Sequence, residues 1–191
     1  MRKRTVVAVL ALVVCVPLGK AQDSSKVDLY GGYDYVRYNA SPRINGVPPS
    51  ESADANGMSG QFIYKPYRLL GFVAELSGYE VAPHGRDTTY QVSYLFGPRI
   101  NVLRRGKVTP FAHVLLGRVW AADGITLGSV TAFGIAAGGG IDLRVSRHIA
   151  IRLGQAEYLL TKFADGNNNR QNNFRFGTGI VLRFAGKYKT Q

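Results

Sequence analysis

The feature that most constrains this chain is a period-two alternation of bulky apolar with small or polar residues, recurring in eight segments. Alternation of this kind marks β-strands with two unlike faces. The segments cover residues 26–38, 56–64, 69–79, 89–102, 108–120, 129–145, 149–163 and 173–185. The stretches between them also alternate. Residues 39–55, 80–88, 121–128 and 164–172 are long and rich in Asn, Asp, Gly, Pro and Ser, whereas 65–68, 103–107 and 146–148 are short. That is the layout of an even-stranded antiparallel barrel with both termini and the short turns at one end. No helix of ordinary length is visible after residue 21.

The first residues read differently. Arg2, Lys3 and Arg4 precede an apolar core over 6–18, and Gly19-Lys20-Ala21 puts small residues where a signal peptidase reads. A spanning helix needs roughly 20 apolar residues, so this run is too short to be one. Residues 1–21 are expected to be a cleaved signal and 22–191 the barrel domain. The only cysteine, Cys15, falls inside that signal, and Val14 before it is poor for a lipoprotein site. The exported part then enters an oxidising compartment with no thiol to oxidise. Four of the 24 basic residues (Arg2, Lys3, Arg4, Lys20) and none of the 12 acidic ones lie before residue 22, which leaves a net charge of +8. Exported proteins seldom meet nucleic acid. Acidic lipopolysaccharide or phospholipid is the expected counter-charge, beside pairing within the fold.

The faces indicate which way the barrel is turned. In the sixth segment Phe133, Ile135, Ile141, Leu143 and Val145 oppose Ala132, Gly134, Ala136, Gly138, Gly140, Asp142 and Arg144. In the last, Phe174, Phe176, Ile180, Leu182 and Phe184 oppose Arg175, Gly177, Gly179, Val181 and Arg183, and in the fourth Tyr90, Val92, Tyr94 and Phe96 oppose Gln91, Ser93, Gly97 and Arg99. A membrane barrel turns the bulky face to lipid and keeps small and charged groups in its lumen. A soluble ligand-binding barrel would invert this. Tyr38, Tyr79, Tyr90 and Trp120 near the long connections, and Tyr64, Tyr67 and Phe184 at the other rim, are expected to form aromatic girdles. The seventh segment breaks parity: Ile149, Ile151 and Leu153 share a phase with Gln155 and Glu157. One extra residue near Gly154 would return the two polar side chains to the lumen, so a β-bulge is expected there.

The last strand ends in Gly179-Ile180-Val181-Leu182-Arg183-Phe184, a Gly-x-x-Φ-x-Φ pattern with Φ apolar. It resembles the signal by which barrel-assembly machinery recognises terminal strands, through Gly179, Leu182 and Phe184. From Tyr30-Gly31-Gly32-Tyr33 to Phe184, the chain resembles the small bacterial outer-membrane β-barrels of the OmpA/OmpX type. Gly97-Pro98-Arg99, the run from Val108 to His113, and Gly138-Gly139-Gly140-Ile141-Asp142 look like that family's mid-barrel strands. The resemblance implies an all-β, eight-stranded antiparallel up-and-down transmembrane barrel in the outer membrane, standing alone without a C-terminal peptidoglycan-binding domain.

Chemistry is sparse. The histidines are His84, His113 and His148, of which only His113 lies within a predicted strand, and its in-phase neighbours Phe111 and Leu115 supply no acid. A hydrolase triad needs both a hydroxyl and a carboxylate around such a histidine. No catalytic residue, metal ligand or cofactor site is therefore expected, and Gly138–Gly140 reads as a packing feature. The predicted lumen charges are Asp28, Asp34, Glu75, Arg99, Asp142, Arg144, Arg152, Glu157, Arg175 and Arg183. Eight strands leave a lumen that side chains can fill, so a structural plug is expected over a conduction path. The expected role is structural or surface-interacting, with loop 39–55 meeting an extracellular partner. The alternatives are a narrow solute channel, a lipid-modifying enzyme and a soluble periplasmic barrel.

Overall fold

The computed structural model describes residues 25–38, 53–81, 89–102, 107–123, 129–163 and 171–185. The expected signal and most of the 39–55 connection lie outside them. Eight strands follow in chain order: β1 Ser25–Tyr38, β2 Ala53–Tyr64, β3 Leu70–Val81, β4 Thr89–Asn101, β5 Val108–Asp123, β6 Ser129–Arg144, β7 Ile149–Thr161 and β8 Gln171–Ala185. Each pairs antiparallel with the next, and β8 closes on β1, so the sheet is a barrel without a free edge. Closure satisfies backbone groups that lipid could not.

All eight predicted strands are present, with ends shifted by a few residues. The loop asymmetry is weaker than expected. Strand β5 runs on to Asp123, so residues 124–128 join it to β6 and are fewer than the 102–107 between β4 and β5. Likewise, residues 53–55 of the predicted first loop open β2. The tightest turn explains itself: Ser146 Oγ accepts hydrogen bonds from the backbone N–H of His148 (3.3 Å) and Ile149 (3.1 Å). Its own N–H donates to Ile149 O at 3.0 Å.

The bulky faces point outward. Phe62, Phe72, Leu76, Tyr94, Phe96, Phe133, Phe174 and Phe176 are all exposed, Phe96 at 66%. An apolar surface continuous around the barrel is far beyond what a soluble monomer carries, and lipid removes the penalty. Tyr64, Tyr67, Tyr90, Trp120 and Phe184 face outward at the two rims, as a girdle requires. Tyr38 and Tyr79 do not: each is 3% exposed and packs inside with Val36 and Ala55. Tyr79 is in phase with Glu75 and Ser77 on β3, and parity outweighs a rim position.

The bulge is where the parity break placed it. Ile141 pairs with Gly154 and Asp142 with Arg152, while across β8 Arg152 pairs with Gly179 and Gln155 with Gly177. Leu153 and Gly154 thus oppose Thr178 alone. Gln155 and Glu157 return to the lumen, and Tyr158 faces outward. The backbone at Gly154 is not left-handed, and a Cβ there meets nothing within 4 Å. The bulge therefore does not depend on glycine's freedom.

Candidate functional site: a charged, filled lumen

Inward positions carry more than small and charged groups. Ile63, Val73, Leu95, Leu115, Leu159 and Val181 also point inward and form one apolar cluster with Tyr30, Ala136 and Ala150. A second cluster, Val119, Ala121, Ala132 and Phe163, lies towards the long connections. Polar groups packed among these residues must find partners in the protein.

They do so in a ring. Arg152 Nη1 donates to Gln61 Oε1 (2.8 Å), and Gln61 Nε2 donates to Glu75 Oε2 (2.7 Å). Arg175 Nη1 lies 2.6 Å from Glu75 Oε1 and also pairs with Glu157. Gln155 closes the circuit, donating to Glu157 Oε1 at 2.6 Å and accepting from Arg152. Six side chains from β2, β3, β7 and β8 thus span the lumen as a closed circuit. Others hang from it. Asp142 holds Arg152 Nε at 2.8 Å and Arg99 Nη2 at 2.7 Å, Tyr79 Oη accepts from Arg175 at 2.8 Å, and His113 Nε2 contacts Glu157. The guanidiniums also stack, Arg152 over Tyr30 at 4.0 Å and Arg99 over Phe111 at 3.7 Å.

Small residues make this possible. In the ladder His113 pairs with Gly138, and Gly138 pairs with Glu157. The two functional side chains meet across a strand whose intervening residue has none. A Cβ on Gly138 would lie 2.7 Å from Glu157 Cγ and 2.2 Å from Ala156 O.

Of the predicted lumen charges, nine are buried, and only Arg144 sits half-exposed near the turn end. His113 does have an acid, Glu157, contrary to the sequence expectation. The acid comes from β7, two strands away, where in-phase neighbours on β5 give no hint of it. His113 Nδ1 has no hydrogen-bond partner, so no hydroxyl is held at the imidazole. His148 is exposed in the β6–β7 turn, and His84 lies outside the described residues. Lys65 was missed, although counting on from Gln61 and Ile63 gives its inward phase. Its Nζ donates to Asp28 (2.5 Å) and Ser25 (2.8 Å). With Lys65 included, the buried charges among the described residues balance: Asp28, Asp34, Glu75, Asp142 and Glu157 against Lys65, Arg99, Arg152, Arg175 and Arg183.

No protein-family model matches the chain, and no curated protein matches its sequence. Solved structures do. Neisserial surface protein A superimposes with a TM-score of 0.65 over 82% of this chain and 97% of its own, at 14% identity. Outer membrane protein OprG of Pseudomonas aeruginosa gives 0.55 over 87% and 99%, at 11% identity. The attachment invasion locus protein Ail of Yersinia pestis, in complex with the heparin analogue sucrose octasulfate, gives 0.55 over 84% and 99%, at 16% identity. The fold is that of the small outer-membrane barrels. An outer-membrane barrel fold accounts for the outward apolar face, and the inverted, soluble arrangement is excluded by the side chains themselves.

Proposed function

We propose that the protein is an integral outer-membrane barrel with a structural or surface-interacting role and a closed lumen. The observation that carries this reading is the ring from Arg152 through Gln61, Glu75, Arg175, Glu157 and Gln155, set among inward Leu, Ile and Val side chains. A solute path would have to part charge pairs buried on all sides. No catalytic role is proposed: among the described residues His113 is the one strand-borne imidazole, and it contacts Glu157 while its Nδ1 holds no hydroxyl.

Contact with the envelope then falls to the outside. Arg118 faces outward between Tyr94 and Phe133 on the neighbouring strands, in phase with Trp120, where a cation can meet lipopolysaccharide phosphate. Leu182 and Phe184 face outward on β8, with Gly179 on the same strand, available to the assembly machinery. Loop 39–55 is proposed as the contact for an extracellular partner. The test is conductance of the refolded full chain in planar bilayers. A silent membrane at all applied voltages is expected. Discrete, reproducible openings would replace this reading with that of a narrow channel.

A further inference from the structure

The three short connections carry charge of one sign. Residues 65–69 join β2 to β3, 102–107 join β4 to β5, and 145–148 join β6 to β7, and none of these segments contains an acidic residue. Arg68, Lys107 and Arg147, one in each, are exposed. Among the described residues no carboxylate pairs with any of the three. The carboxylates at this end, Asp28 and Asp142, are buried and held, Asp28 by Lys65 and Asp142 by Arg99 and Arg152.

The frame presenting these cations is fixed. Leu69 O accepts from Asn101 N at 2.7 Å, Lys107 O accepts from Arg144 N at 2.8 Å, and Ser146 N donates to Ile149 O at 3.0 Å. Each cation thus leaves a backbone tied at or next to its own residue.

Each also borders exposed apolar side chains. Arg68 lies between Tyr67 and Leu69, Lys107 precedes Val108, and Arg147 follows Val145 by two positions. Connections of four to six residues cannot carry a charge far beyond that rim. A long basic side chain rooted there keeps its stem against the apolar layer and its charge among lipid headgroups. Tyr64, Tyr67 and Phe184 mark the same depth.

We propose that these three turns bind the headgroups of anionic phospholipids in the periplasmic leaflet, in preference to zwitterionic ones. This rests on the reading of the chain as an outer-membrane barrel whose short turns face the periplasm. The phosphodiester accepts hydrogen bonds from guanidinium or ammonium, and in an anionic lipid no headgroup ammonium competes for it. One cation near an anionic surface contributes about fivefold in affinity. An acidic wall polymer would call for charges projecting past the headgroups, which turns this short do not supply.

The test refolds the full chain in nonionic detergent and adds equal amounts of chain-matched phosphatidylglycerol and phosphatidylcholine. Mass spectrometry then counts the lipids retained on the barrel after washing. Phosphatidylglycerol should exceed phosphatidylcholine about fivefold or more, and about 0.5 M salt should reduce the excess. The triple variant Arg68→Gln/Lys107→Gln/Arg147→Gln should cut the preference about threefold or more. All three side chains are exposed, so the folded band seen on gels without boiling should persist in that variant, and the salt response reads the same charges with no substitution. Loss of that band in the unaltered chain is the separate result that would overturn the barrel reading. Equal retention of the two lipids, or a preference untouched by salt and by the triple variant, overturns the proposal. Equal retention together with variant-sensitive sedimentation on isolated peptidoglycan would give the turns to the acidic wall polymer instead.

Discussion

Replacing Arg175 by methionine tests whether the ring holds the lumen together. Arg175 is 1% exposed and touches Glu75, Glu157 and Tyr79. Methionine keeps much of the volume and removes the charge. Glu157 would still have His113 and Gln155, but Glu75 would keep only the amide of Gln61. Breaking one side of a buried pair costs about 3–5 kcal/mol. A stranded carboxyl can instead take up a proton. From the ordinary glutamate value that costs about 3.7 kcal/mol at pH 7 and about 1 kcal/mol at pH 5.

The expectation is therefore a loss of about 3–4 kcal/mol at pH 7 that shrinks by roughly 2–3 kcal/mol at pH 5. Adding Glu75→Gln to Arg175→Met should recover most of the loss at pH 7, because an amide then replaces the stranded charge. Glu157→Gln should recover less, since His113 remains to face that carboxylate. Urea unfolding in phospholipid vesicles, followed by fluorescence of the single tryptophan, Trp120, reads all four proteins. A loss below about 1 kcal/mol, or one equal at both pH values, would refute the argument that unpaired charge is what the ring prevents.

Deleting Leu153 leaves Gly154 alone opposite Thr178 and restores strict alternation with Gln155 and Glu157 still facing the lumen, so the heat-modifiable band should persist; Gly154→Ala, with open space for its Cβ, should also give a normal one. Gly138→Ala should destabilise by more than Gly154→Ala in the urea titration, because its Cβ runs into the Ala156 carbonyl and separates His113 from Glu157. Leu76→Arg, on the lipid face in the middle of β3, should lose about 2–4 kcal/mol in vesicles.

Parity made most of this architecture legible. Because side chains alternate strictly, reading Phe174, Phe176, Ile180 and Leu182 against Arg175, Val181 and Arg183 assigns inside and outside without knowing any neighbour. It located the bulge too, since Gln155 and Glu157 in the lipid phase left a local conflict that only an extra residue resolves. Where girdle reasoning was preferred to parity, at Tyr38 and Tyr79, it failed. What parity cannot supply is height along the barrel axis. His113 and Glu157 were both visible as polar strand residues, yet their meeting depends on the β5–β6 and β6–β7 registers together. The same holds for the ring, whose members lie far apart in sequence, Gln61 and Gln155 by 94 positions and Glu75 and Arg175 by more.

Height is also what the lipid face cannot specify. Sliding one strand by two residues preserves every outward apolar side chain, so the transfer of bulky groups into lipid scarcely distinguishes the true register from its neighbours. The lumen does distinguish them. A two-residue slip of β7 against β6 would take Glu157 from Gly138, the one gap through which it reaches His113, and set it beside Ala136 or Gly140. It would also move Arg152 off Asp142, leaving charges of both signs buried without partners. Each such loss is of the size worked out for Arg175, and a slip incurs several at once. Buried ion pairs often add little to stability against an apolar filling. Here their consequence is selective: they penalise the wrong registers that the membrane would accept. On this argument the ring's first role is to choose one barrel among several that are equally greasy outside, and the sealed lumen follows from that choice.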